Sequence, residues 1–184
     1  MHPHTVHSMT TPSTTADQHF RRTVSSPVGD LTLVATNEGL RAVLWPDDLP
    51  SRVKLPESTE RPDHPIIVAT AVQLSEYFDG TRTDFDIALD LRGTAFQTAA
   101  WHALAEIPHG STATYAEQAA RLGQPSAVRA VGAANGRNPV SIVLPCHRVI
   151  GADGSLTGFA GGLDTKRRLL ELEGALDSPT LPFI

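Results

Sequence analysis

The chain has 184 residues, 40% of them hydrophobic, which fits one domain or two small ones with an ordinary packed core. A single cysteine excludes an internal disulfide and any multi-cysteine zinc site, and no apolar run approaches membrane-spanning length. The net charge of −5 argues against a nucleic-acid binder, yet residues 92–174 carry eight Lys/Arg against six Asp/Glu while the rest carries seven against fourteen, so a basic surplus survives in the second half.

Residues 1–19 are rich in Thr, Ser, His and Pro and read as a disordered tail. They lack the basic leader and apolar core of a secretory signal. With a lone thiol suited to a reducing compartment, the expectation is a soluble cytoplasmic protein. His2, His4 and His7 have metal-ligand chemistry but no ordered scaffold, so no metal is expected.

From Arg22 the pattern is strand-like. Leu31, Leu33 and Ala35 alternate with Thr32, Val34 and Thr36, Asn37-Glu38-Gly39 supplies turn chemistry, and Leu40 to Trp45 returns as a second strand. Pro46 to Pro65 reads as a Pro-punctuated connection. Ile66 to Phe78 has helical spacing and stops at Gly80. Phe85, Ile87, Leu89 and Leu91 alternate with Asp84, Asp86, Ala88 and Asp90, which predicts a strand with one wet face. Residues 20–92 therefore read as a small α+β domain, a sheet plus a helix.

Gly93 marks a change to mainly helical patterning over 93–175, followed by a short tail, 176–184. Thr94-Ala95-Phe96-Gln97 is a capping box opening a helix that runs to about Ile107. Thr114 to Leu122 and Ala127 to about Ala134, joined by Gly123-Gln124-Pro125 with Ser126 as the second helix's cap, form a helix-turn-helix pair. The second helix carries Arg129 and the small residues Ala130, Gly132, Ala133 and Ala134. Such a smooth helix approaches either another protein backbone or DNA, and the pattern alone leaves both open.

Ser141 to Leu144 is a short apolar run that reads as a strand and delivers Pro145-Cys146-His147-Arg148-Val149. Cysteine is among the most buried residue types and is commonly inert. Adjacent strand residues also point to opposite faces, so a water or a bent backbone would have to link Cys146 to His147. The residues themselves leave a structural cysteine and a reactive thiol both open.

Asn138-Pro139-Val140, Pro145 to Gly151, Gly158-Phe159-Ala160-Gly161-Gly162 and Lys166 to Gly174 together resemble the catalytic domain of the O6-alkylguanine-DNA alkyltransferase family, the methylated-DNA–protein-cysteine methyltransferases. Ser26-Pro27-Val28-Gly29-Asp30-Leu31 resembles that family's first domain more loosely. The resemblance implies a winged helix-turn-helix-like DNA-binding unit and irreversible, single-turnover transfer of an alkyl group from O6-alkylguanine in duplex DNA to Cys146. No metal or cofactor is implied. It further implies that His147 takes the thiol proton through a water while Glu173 orients the imidazole, that Tyr115 donates toward the guanine N3, and that Asn138 is a hinge. The carbonyls of Cys146 and Val149 would accept from the exocyclic amine, and Pro145, Phe159, Ala160 and Gly161 would complete the substrate pocket.

The target base has to leave the stack, and by the same resemblance Arg129 fills the gap. Ser126, Ala127, Ala130 and Gly132 then lie against the minor groove of a duplex carrying the lesion. The partner implied is double-stranded DNA and no membrane; the protein is expected as a monomer in solution, with cooperative binding on DNA and repair of O4-alkylthymine left open. Some members have a Tyr-Ser pair where this chain has Phe159-Ala160, so any contact to O6 from Ala160 comes from the backbone. The competing expectations are a non-catalytic helix-turn-helix binder with a structural cysteine and a thiol hydrolase using Cys146 and His147.

Overall fold

Alternating apolar residues near the start of the chain build a sheet. In the computed structural model, which describes residues 18–176, β1 (His19–Val24), β2 (Leu31–Ala35) and β3 (Leu40–Leu44) form an antiparallel meander. β4 (Ser58–Glu60) adds in parallel beside β1, giving the order β3-β2-β1-β4. β1 starts at His19, inside the stretch read as tail, and β4 lies inside the stretch read as a connection. The histidines at 2, 4 and 7 and residues 177–184 lie outside the described residues.

α1 (Pro65–Phe78) closes one face of the sheet. Pro65 occupies its first turn, where the missing N–H costs nothing, and Ile67, Leu74 and Tyr77 are buried from it. The strand expected at Phe85–Leu91 does not form. It reduces to one bridge, Leu40 with Leu89, made by Leu40 N donating to Ala88 O at 2.7 Å and Asp90 N donating to Leu40 O at 2.9 Å. The cause is local competition. The Gln73 amide takes both backbone groups of Asp86, accepting from its N at 2.8 Å and donating to its O at 2.9 Å, and so removes them from any ladder. Gly39 permits the close approach, since a Cβ there would sit 2.6 Å from Ala88 O.

The second half is helical. α2 (Ala95–Leu104) carries the expected capping box, with Thr94 Oγ1 accepting from Gln97 N and Gln97 Oε1 accepting from Thr94 N. The helix ends at Leu104, short of Ile107. A second capping box, Thr114 with Glu117, opens α3 (Tyr115–Arg121) directly after β5 (Ala113–Thr114). α4 (Val128–Asn135) begins one residue later than expected and Ser126 does not cap it. Ala127 N donates to Gln124 O at 2.9 Å, so Pro125 and Ser126 are spent on a turn and Ala127 becomes the flanking residue.

α5 (Leu163–Leu172) ends the described chain, and β6 (Val149–Ile150) pairs in parallel with β5. Buried amides lock the helices together. Gln118 and Asn135 exchange hydrogen bonds of 2.7 and 3.2 Å, Gln118 also donates to Ala100 O, and Trp101 Nε1 donates to Ala134 O at 2.7 Å. One apolar core runs through both halves, from Leu33 and Val43 to Trp101, Val140 and Leu169. β3's outer edge is covered rather than left open, because Val43 N donates to Pro139 O at 2.8 Å. That contact docks the sheet against the segment holding Cys146. No helix among the described residues is long and apolar enough to cross a membrane.

Candidate active site

The apolar run Ser141–Leu144 folds back on itself instead of forming a strand. Leu144 N donates to Val140 O at 3.0 Å, and Asn138 staples the turn from within: its Oδ1 accepts from Val140 N at 3.1 Å and its Nδ2 donates to Leu144 O at 2.8 Å. A short apolar run has no period that separates these outcomes. The turn forces Ile142 to φ +75°, a conformation that disfavours β-branched residues and costs on the order of 1–3 kcal/mol. The surrounding core over-determines it. The result is that Pro145 leads into a single 3-10 turn, Cys146–Arg148, which turns His147 and Arg148 both inward.

Cys146 is buried and unpaired. Burial pushes its thiol pKa up, while the Asn138 amide, the Ser141 hydroxyl and the positive charges of Lys166 and Arg52 pull it back. The Ser141 hydroxyl is itself buried without a hydrogen-bond partner. Because burial wins, the resting group is a thiol, and nucleophilic use of it requires a base.

A side chain with the chemistry of a base stands next in sequence. His147 is fully buried, and its Nε2 lies 2.7 Å from Glu173 Oε1. Burial lowers the imidazole pKa more than Glu173 raises it, so the ring is neutral. With Nε2 donating to the carboxylate, Nδ1 is the acceptor, and it has no hydrogen-bond partner. Glu173, the C-cap of α5, is held by four donors: His147, Arg148 through Nε (2.8 Å) and Nη2 (3.1 Å), and the hydroxyl of Tyr77 (2.7 Å). Burial alone would raise its pKa; the bonds from His147 and Arg148 overcome this and hold it well below the ordinary glutamate range. Arg148 also donates to Ile107 O at 2.6 Å. In chain order the arrangement is a thiol, a neutral imidazole and a charged carboxylate, which can serve as nucleophile, base and orienter.

An open cavity of about 430 Å³ lies beside this core, lined by Arg52, Tyr115, Gly132, Phe159 and Ala160 among others. Cys146 is not part of its wall, but two residues coupled to it electrostatically, Tyr115 and Arg52, are. Tyr115 donates its hydroxyl to Thr157 O at 3.0 Å, and burial raises its pKa. Phe159 stands edge-on to Trp45 and His147, with ring centroids 5.4 and 6.3 Å away.

The remaining expected site residues divide. Ala160 is exposed on the cavity wall. Gly161 packs on Trp45, where a Cβ would meet the indole at 2.8 Å. Pro145 lines a different recess, with Phe85, His102 and Arg148. The carbonyl of Cys146 accepts from Val149 N, and that of Val149 from Lys166 Nζ at 2.6 Å, so reading an exocyclic amine there asks for a shared acceptor. On α4, Arg129 and Ala130 are exposed, as is Ser126 before it; Ala127 is half-buried. Gly132 faces the Tyr115 ring, with a would-be Cβ 3.8 Å from it.

Several participants were not singled out from the sequence. Tyr77 arrives from α1, ninety-six positions before Glu173. Arg52 binds Asp48, the carbonyl of Asn138 and that of Val43, tying the loop after β3 to the Cys146 turn. Lys166 is wholly buried, donates to Val149 O and Thr157 O (2.6 and 2.8 Å), and has its pKa lowered to about 8, by burial and against the attraction of Cys146. Its charge favours the thiolate. Lys166→Met should therefore move the pH profile of Cys146 alkylation by iodoacetamide to higher pH; an unmoved profile would leave Lys166 a purely structural tie.

Two family models cover the chain: the ribonuclease-like domain of 6-O-methylguanine DNA methyltransferase over residues 20–91, and the DNA-binding domain of the same over 95–175. A methylated-DNA–protein-cysteine methyltransferase from Mycolicibacterium paratuberculosis is 51% identical over 153 residues, 83% of this chain and 90% of its own length. One from Methanosarcina acetivorans is 47% identical over 82% of this chain and 95% of its own. The crystal structure of Mycobacterium tuberculosis OGT in complex with DNA superposes with a TM-score of 0.77 at 47% identity, covering 85% of this chain and 93% of that one.

Proposed function

We infer the activity from one premise: the chain belongs to the 6-O-methylguanine DNA methyltransferase family. It is a DNA-binding repair protein that transfers an alkyl group from methylated DNA to its own cysteine, Cys146. The observation that carries this for the present residues is the neutral His147 anchored at 2.7 Å on a charged Glu173, next to a buried thiol that needs a base.

In the mechanism we propose, the thiol proton passes to His147 Nδ1, through a water, and the sulfur attacks the alkyl carbon of O6-alkylguanine. The S–C bond forms as the C–O6 bond breaks, its electron pair stays on guanine, and Tyr115 supplies a proton to N3. The proton that the thiol gave to His147 returns through solvent to the Tyr115 phenolate, so the net products are a thioether and guanine, with both side chains back in their starting states. Tyr115 has to leave Thr157 O to do this; Lys166 donates to the same carbonyl and keeps it satisfied. Asn138 acts through the turn it staples, as a positioning residue. Phe159, Ala160, Gly161 and Pro145 shape the base pocket, with Val149 and Cys146 offering carbonyls.

We read α3, the 122–127 turn and α4 as the DNA-binding helix-turn-helix, with the β5–β6 pair as its wing, and we divide the chain near Arg92 into the α+β unit and the transfer unit. The exposed small side chains at Ser126, Ala130 and Ala133, with Ala127, support close approach to a minor groove, and exposed Arg129 supports a role in filling the space of the extruded base. Arg129→Ala should then slow repair of a duplex more than reaction with free O6-benzylguanine, since only the duplex requires extrusion; equal losses on both substrates would remove that role.

The direct test is the intact mass of the protein after mixing with a duplex holding one O6-methylguanine. A stoichiometric gain of one methylene unit mapped to Cys146 is expected. Repaired DNA with unmodified protein would indicate a turning-over hydrolase, and binding without either product a DNA-binding module.

A further inference from the structure

Beside the transfer site lies a recess that the chemistry above does not use. It is a cavity of about 200 Å³ whose wall includes Arg41, Arg52, Lys54, Arg92 and Arg137. Five cationic side chains converge there in a chain of net charge −5, so the cluster is not the overflow of a basic surface. Four segments supply it: β3 brings Arg41, the loop after β3 brings Arg52 and Lys54, the segment before α2 brings Arg92 and the one after α4 brings Arg137.

Part of this charge is already matched. Asp90 accepts from Arg92 at 3.2 and 3.0 Å and from Thr36 at 2.9 Å, and Asp48 holds Arg52. Arg41 is different. It is 6% exposed, and its Nε and Nη1 have no hydrogen-bond partner. Burial depresses its pKa, Asp90 only partly offsets that, and Arg92 adds to it. Two buried guanidinium nitrogens without acceptors are costly, and a multi-oxygen anion is the ligand that best satisfies such a fork of donors. Lys54 and Arg137 are exposed at the rim, where they meet an entering anion.

We propose that this recess is a phosphate-binding site centred on Arg41. Ser51, Arg52 and Arg137 line both it and the cavity beside Cys146, so the two share a wall. A strand whose nucleotide enters the cavity passes Arg137, at the end of α4, and brings a backbone phosphodiester to the recess. That source rests on the DNA-repair reading; free orthophosphate has the same chemistry and is the other source.

The test uses the full chain and two variants, Arg41→Met and the rim substitution Lys54→Glu. Melting temperature is measured in inorganic phosphate and in chloride at equal ionic strength, and duplex affinity is measured against salt. In the wild type, phosphate should raise the melting temperature beyond chloride by mass action, and both variants should lose the difference. If the phosphodiester is the source, each variant also weakens duplex binding and lowers the slope of log affinity against log salt by about one. A lost thermal response with an unchanged slope assigns the site to free phosphate. No phosphate-specific response in the wild type, together with an unchanged slope in Lys54→Glu, overturns the site. Transfer from free O6-benzylguanine to Cys146 should be equal in all three proteins, which shows that the variants fold. A wild type that takes no alkyl group yet still responds to phosphate would sink the repair reading and leave the site standing.

Discussion

A duplex carrying one O6-methylguanine should keep its methyl group when mixed with the Cys146→Ser variant, and the variant should still bind that duplex. The expected loss is complete on the time scale of the wild-type reaction, because a serine hydroxyl ionises far less readily than a thiol and is a weaker nucleophile toward carbon. The surroundings sharpen this. Burial already raises the thiol pKa and the local charges only partly restore it, so an alcohol in the same place has no route to its anion near neutral pH. Folding is expected to survive. The new hydroxyl sits beside Asn138 and Ser141, and a cost of about 1 kcal/mol is ordinary for such a substitution. Intact mass, duplex affinity and melting temperature together check the prediction. Methyl transfer to the substituted serine, or to any other residue of the variant, would refute Cys146 as the acceptor. Loss of DNA binding with the fold intact would mean that the thiol also contributes to recognition.

What could be read in the sequence was what is decided locally. The alternation around Leu31 to Ala35, the spacing of α1 and the Thr94–Gln97 capping box each depend on neighbours a few positions away, and each forms the expected element, although Val34 on the alternate face of β2 is buried as well. Failures occur where a distant or sideways group decides. Phe85 to Leu91 alternates like a strand, but the Gln73 side chain takes the backbone of Asp86. β4 is three polar residues whose strand character comes only from pairing with β1. The run at Ser141–Leu144 carries no periodicity, and what bends it is the Asn138 side chain and a positive φ at Ile142. The site follows the same division. Cys146, His147 and Arg148 are adjacent and were visible as a motif, whereas the electrostatic setting that makes them a unit depends on Tyr77, Lys166 and Arg52. Those three are brought in by the docking of sheet on helices; nothing near Tyr77 or Arg52 marks them, and Lys166 opens the stretch that carries the resemblance without its own part being visible there.

Glu173 shows why that setting matters, and its neutral replacement should have the second large effect. Glu173→Gln keeps the shape and an acceptor for His147 Nε2, but it removes the charge opposite Arg148, whose side chain is 6% exposed against 0% for Glu173. Removing one partner of a buried pair leaves the other uncompensated and costs about 3–5 kcal/mol, which for a domain of this size lowers the melting temperature by roughly 10 °C. The pH dependence has a definite sign. The folded carboxyl lies below its unfolded value of about 4.3, so its contribution is fully present above that value and is lost as pH falls toward the depressed folded pKa. Wild-type stability should fall on the acid side over that window, and the fall should be shallower in Glu173→Gln. The chemical effect is separate. Without the carboxylate, the imidazolium formed as His147 accepts the thiol proton loses its counter-charge, and general-base assistance is worth on the order of 10²–10⁴ in rate. Transfer from free O6-benzylguanine, measured well below the variant's melting temperature, should slow by a factor in that range. A variant that melts early yet transfers at the wild-type rate would make Glu173 a structural clamp on Arg148 and leave His147 to act without an orienter.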